Sequence, residues 1–96
     1  MDFLEIVGVP SLTLEKVKEY NGEALLTDLY LNRIEVMEII KYFHNIGLNV
    51  VDNLLVFTVD VFFRDLEEIK IKIQEYGVGK FVTTVNNDYF QITEIL

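Results

Sequence analysis

Two stretches of the chain set apolar residues along one side of a helix and polar residues along the other. Between Asn32 and Gly47, Val36, Ile39, Phe43 and Ile46 follow at spacings of three, four and three, the repeat that lines a single helical face. Leu66, Ile69, Ile73 and Tyr76 do the same between Asp65 and Gly77. Each stretch starts with a residue whose side chain can accept from a helix's first amides and stops at glycine, which tolerates the left-handed backbone of a helix end. Asn32-Arg33-Ile34-Glu35 reads as a capping box, and Asp65-Leu66-Glu67-Glu68 opens the second stretch in the same way. Helices are therefore predicted over 33–46 and 65–76, with Glu68 and Lys72 as an outward pair at four-residue spacing.

A third helix is predicted over 12–20. Leu14, Val17 and Tyr20 recur every three residues, Ser11 is a candidate N-cap behind Pro10, and Asn21-Gly22 supplies the stop. Residues Glu23 to Leu31 fit a short helix and a strand alike.

The two long amphipathic stretches coincide at an offset of thirty, and the match continues past their glycines. Leu48 corresponds to Val78, Val51 to Phe81, Leu55 to Val85, Val59 to Tyr89 and Phe62 to Ile92. This suggests two copies of a unit of about thirty residues, 34–63 and 64–93, each built as helix, glycine and second segment. Such a unit resembles the repeats of mitochondrial transcription-termination-factor proteins. The likeness rests on Ile46-Gly47-Leu48 and Tyr76-Gly77-Val78 with their flanking apolar spacing, and it spans about two thirds of the chain. That family's repeats carry a proline before the closing apolar pair, where this chain reads Thr58-Val59-Asp60-Val61-Phe62 and Asn86-Asn87-Asp88-Tyr89-Phe90. Its nucleic-acid binding is basic, whereas this chain is acidic, so the family's function is not carried over.

Spacing and residue type disagree in the second segments. Apolar positions at 51, 55, 59 and 62, and at 81, 85, 89 and 92, suit a helix and not a flat strand. Leu54-Leu55-Val56-Phe57-Thr58-Val59 is nevertheless rich in β-formers, and Phe81 to Thr93 could close as a hairpin around Asn86-Asn87. The fold expected first is all-α, a small helical domain with a possible two-fold repeat. The alternative is α+β, a sheet with a C-terminal hairpin over 81–93 covered by helices 12–20, 33–46 and 65–76.

Ninety-six residues are enough for one domain, here 1–96, and 51 % apolar residues suffice to collapse it. A small domain so rich in apolar residues must bury nearly all of them, and self-association is one way to do so. Cysteine is absent, which removes disulfides, thiolate metal sites and thiol nucleophiles. The formal net charge of −8 is shared equally, with eight acids and four bases in each half of the chain. A field of that sign repels phosphates, and no Lys/Arg cluster offsets it, so direct nucleic-acid binding is not expected. The start, Met1-Asp2-Phe3-Leu4-Glu5, lacks the basic lead of a secretory signal, and the longest stretch free of charge, Tyr42 to Val51, is about half a membrane span. A cytoplasmic setting without membrane association is expected.

No catalytic, cofactor-binding or metal site emerges. His44 is the only histidine, with Ile40 and Leu48 four residues either side, so its helical face offers no second ligand. Glu67 and Glu68 are explained by a helix's first turn, and Asp60 with Asp65 are neighbours in sequence only. Gly77-Val78-Gly79-Lys80 lacks the spacer and the hydroxyl residue of a phosphate loop. Ser11, the only serine, has no base in a recognisable frame, and Asn86-Asn87-Asp88 lacks the glycine and terminal glutamate of a calcium loop. Five tyrosines without a tryptophan suit core boundaries and contact surfaces.

The expected function is a non-enzymatic protein–protein interaction or regulatory module whose partner is another protein or a second copy. The alternative is an acidic inhibitor that occupies a basic nucleic-acid-binding surface of another protein, as a mimic of the phosphate backbone. An enzyme or small-ligand protein, with Tyr42, His44 or Asp60 converging in a pocket, ranks third.

Overall fold

In the computed structural model, which describes residues 3–10 and 12–96, every regular element is helical. The α-helices are α1 (Phe3–Ile6), α2 (Leu12–Asn21), α3 (Glu23–Leu31), α4 (Arg33–Ile46), α5 (Val51–Phe57), α6 (Leu66–Tyr76), α7 (Val78–Asn87) and α8 (Ile92–Ile95). Tighter 3₁₀ turns occupy Val59–Phe63 and Tyr89–Gln91. The all-α expectation holds, and the α+β alternative with its 81–93 hairpin does not, since no strand occurs among the described residues.

The β-rich segments are helical because only a helix hides their apolar spacing. As a helix, α5 buries Val51, Leu54, Leu55 and Val56, and α7 buries Phe81 and Val85. As alternating strands, half of those side chains would face water, so packing overrides β-propensity. Thr58, buried just past α5, donates its hydroxyl to the Leu54 carbonyl at 2.8 Å and leaves no polar atom unpaired. Residues 23–31, open between helix and strand in the sequence, form α3.

The predicted helices fall within a residue of their expected bounds, but three of the local devices differ. Asn32 closes no capping box: it sits between α3 and α4, and its Nδ2 donates back to the Asp28 carbonyl at 2.8 Å, so the amide serves the end of α3 instead. Asp65 makes no side-chain cap bond either, leaving Glu67 and Glu68 to favour the start of α6 through charge alone. Lys72 does not pair with Glu68; its Nζ donates to the backbone oxygen of Leu96 at 2.9 Å, beside Arg64 Nη1 at 2.6 Å. The proposed N-cap, Ser11, lies outside the described residues.

The order helix, glycine, helix, 3₁₀ turn recurs at the offset of thirty, in α4–α5 with Val59–Phe63 and in α6–α7 with Tyr89–Gln91. Gly47 ends α4 in the left-handed conformation (φ 106°, ψ 12°), with its N–H on the His44 carbonyl and that of Leu48 on Phe43. Asn86 of α7 clasps this corner. Its Nδ2 donates to the Gly47 carbonyl at 3.1 Å while its Oδ1 accepts from the Asn49 amide at 2.9 Å.

Helix α4 contacts α1 and α3 as well as α6, and α5 contacts α2 as well as the Tyr89–Gln91 turn. The α4–α5 unit is thus flanked by chain from both directions. At its centre Phe43 meets Phe62 edge-on at 5.6 Å and Phe81 at 6.5 Å, all three fully buried.

Candidate interaction surface

None of the weighed chemical candidates is drawn into a shared site. His44 is exposed at a shallow depression lined by Gly8, Pro10, Asn49 and Asp52 among others, and neither Tyr42 nor Asp60 lines it. No group of three or more His, Asp or Glu side chains among the described residues is placed to hold a metal ion. Gly77 to Lys80 forms the junction of α6 and α7, where Lys80 Nζ turns back over the Tyr76 ring at 4.6 Å from its centroid. Tyr42 is half-buried under Lys70, and burial raises its phenol above the usual pKa. Asp88 caps the second 3₁₀ turn, its Oδ1 accepting from the Phe90 amide at 3.2 Å and its Oδ2 from Gln91 Nε2 at 3.3 Å.

What the fold does assemble is an aromatic ridge on its surface. Tyr20, in the last turn of α2 on the same face as buried Thr13 and Val17, stands exposed, and so does Phe57 at the end of α5. The 3₁₀ turn adds Tyr89 and Phe90. Tyr20 meets Phe57 edge-on at 4.8 Å, Phe57 stacks on Tyr89 at 5.7 Å, and Tyr89 lies 4.7 Å from Phe90. Tyr20 is 61 % exposed, Phe57 37 % and Phe90 49 %.

The ridge is held from beneath. Asn21 Nδ2 donates to the Val56 carbonyl at 2.8 Å and to Val17 at 3.2 Å, locking the end of α2 to the end of α5 directly under Tyr20 and Phe57. Asp88 fixes the turn that carries Tyr89 and Phe90. Rigid, half-exposed aromatic side chains supply contact area at low entropic cost, the chemistry of interface anchors.

Beside the ridge, two hollows share Lys16, Val56 and Phe57. One, of about 260 Å³, adds Glu19 and Tyr20; the other, of about 290 Å³, adds Thr13, Asp52 and Asn53. Together they make a groove along α2 and α5. A larger hollow of about 430 Å³ between α2 and α3 is lined by Phe3, Leu14, Leu26 and Tyr30 with Glu23 and Thr27. It abuts Phe3, at the edge of the described residues.

Sequence reasoning singled out the tyrosines as a class but not the two phenylalanines. No helical spacing marks Phe57 in advance: it lies one turn from buried Leu54 and next to buried Val56, and its exposure comes from its place at the end of α5.

Compared with protein-family models, curated proteins and solved structures, the chain matches none. No helix among the described residues is long and apolar enough to cross a membrane.

Proposed function

We propose that this chain is a non-enzymatic, cytoplasmic protein–protein interaction or regulatory module that binds through the ridge of Tyr20, Phe57, Tyr89 and Phe90. The observation that carries the reading is that four aromatic rings from three separate segments are packed together on the surface, and three of them are more than one third exposed. A contiguous aromatic patch of this kind on a monomer is often a functional surface. The cytoplasmic setting rests on the sequence alone.

The acidic-inhibitor alternative draws less support, because mimicry of a phosphate backbone calls for carboxylates in unbroken rows. Here α2 carries Lys16 and Lys18 among its acids, α4 carries Arg33 and Lys41, and α6 carries Lys70 and Lys72.

Site-specific photocrosslinking in the source cell tests the reading. A benzophenone side chain at position 90 is expected to yield a discrete adduct with one protein, and the same group at position 71, exposed but away from the ridge, is not. Sedimentation of the purified chain then shows whether that protein is a second copy. No adduct from position 90, together with strictly monomeric sedimentation, would overturn the proposal.

A further inference from the structure

Resting on the interaction-module reading, we infer that the α2–α5 groove and its ridge take a short, positively charged segment of another protein, anchored by one or two large apolar side chains.

Three observations select that occupant. The first is how the chain distributes its own cations over its rings. Arg33 lies 4.5 Å from the Tyr30 centroid, Lys70 5.4 Å from Tyr42 and Lys80 4.6 Å from Tyr76. The two remaining tyrosines, Tyr20 and Tyr89, are the two in the ridge, and among the described residues no cation covers them, Phe57 or Phe90. Exposed ring faces attract Lys and Arg, and Arg above all.

The second is local charge. Lys16 is the lone cation lining the groove, against Glu19, Asp52 and, at the foot of the turn, Asp88. The whole chain adds a field of −8. A second copy would bring the same charges to the same place and be repelled, whereas a basic segment is drawn in.

The third is area. The exposed fractions of Tyr20, Phe57 and Phe90 amount together to about one and a half rings, on the order of 300 Å² at 150–250 Å² per ring. That falls within the size of functional patches on monomers, but well short of the roughly 800 Å² per partner of a stable interface between globular faces. A peptide segment fits the groove; a folded surface of equal rank does not.

Panning a display library of random peptides, each about a dozen residues long, against the full chain tests the inference. The enriched sequences are expected to be net positive and to contain Phe, Leu, Ile or Trp. Binding of one enriched, labelled peptide is then followed by fluorescence anisotropy. Tyr20→Ser and Phe90→Ser, both at exposed positions, should each weaken it about tenfold or more. Asp52→Asn should weaken it several-fold and flatten its salt dependence, while Ile71→Ser leaves it unchanged. Circular dichroism on each variant separates lost binding from lost fold.

Enrichment of acidic or uncharged peptides, no enrichment at all, or binding indifferent to both ridge variants would overturn the inference. So would a stable dimer that buries Tyr20 and Phe90, although the interaction-module reading would survive it. A crosslinked partner whose contacting segment is acidic likewise removes this inference and leaves that reading standing.

Discussion

The two units related by an offset of thirty share their order of elements but not their depth in the molecule. Ile39 and Ile69, Phe43 and Ile73, Val51 and Phe81, Leu55 and Val85, and Phe62 and Ile92 are buried in both. The first unit buries Ile40, Leu54, Val56, Thr58 and Val61 as well, and at the same offset the second has Lys70, Thr84, Asn86, Asp88 and Gln91, none of them buried. The common set is a single stripe per unit, facing a common interior. The additional set belongs to the unit that α1, α2 and α3 pack against. Spacing thus fixes which segments become helices, and the number of neighbours decides how many faces of each must be apolar.

Exchanging residues between matched positions gives the sharpest test. Ile40→Lys puts the second unit's residue where the first has no water, and an unpaired buried ammonium should cost more than about 4 kcal/mol. We expect the variant to lose its cooperative urea transition and its near-ultraviolet circular dichroism. A well-folded Ile40→Lys protein would mean that the α4 face is far less enclosed than its geometry indicates.

Ile39 and Ile69 are the same residue in the same register, so truncating each isolates the effect of position. Both Ile39→Ala and Ile69→Ala fall in the range of about 2–5 kcal/mol for buried isoleucine, with Ile39 towards the top and Ile69 towards the bottom. Matched urea denaturation curves check this. Equal losses would show that the flanking N-terminal helices add nothing to the packing at Ile39.

The two glycine corners should differ in the opposite sense. Gly47 has φ 106° and ψ 12°, near the left-handed well that Asn and even Ala can enter, and a Cβ there would meet only Val82 Cγ1 at 3.6 Å. Gly77 has φ 105° and ψ 116°, outside any well open to an L-residue. Gly47→Ala should therefore cost about 1–2 kcal/mol and Gly77→Ala about 2–3 kcal/mol, both read as a fall in the urea midpoint.

How far the sequence reveals this molecule depends on how local each determinant is. Helices α4 and α6 rest on spacing within fourteen and eleven residues, and both are legible. For α5 and α7 the β-forming side chains argue against the spacing, and the conflict is settled only by what covers Leu54, Leu55, Phe81 and Val85. Two of the misread local devices share one cause. Asn32 finds Asp28 behind it, and Lys72 finds Leu96 twenty-four residues away, and neither alternative partner is visible in a capping or pairing pattern. The ridge is less legible still, since Tyr20, Phe57 and Phe90 become neighbours only when three segments dock.

The reciprocal exchange, Lys70→Ile, should have the smallest effect of all. Lys70 is half-buried on α6, and its two partners are weak ones: Glu67 at 3.8 Å, itself largely exposed, and the Tyr42 ring at 5.4 Å. Losing an exposed ion pair costs a few tenths of a kcal/mol, and losing an exposed cation–ring contact about 0.5 kcal/mol. Isoleucine's own packing against Tyr42 offsets part of that, so the urea midpoint should barely move. The phenol offers a finer reading. Burial already holds Tyr42 above its ordinary pKa, so its folded form keeps its proton to higher pH than the unfolded chain, and that share of stability fades as pH climbs towards the folded value. Removing a neighbouring cation and adding apolar cover both disfavour the phenolate, so Lys70→Ile should push the last tyrosinate step of an absorbance titration still higher. A step that moves down instead would mean that water, not the isoleucine, takes the place of the ammonium, and that the second unit's outer face is as open as the first unit's is closed.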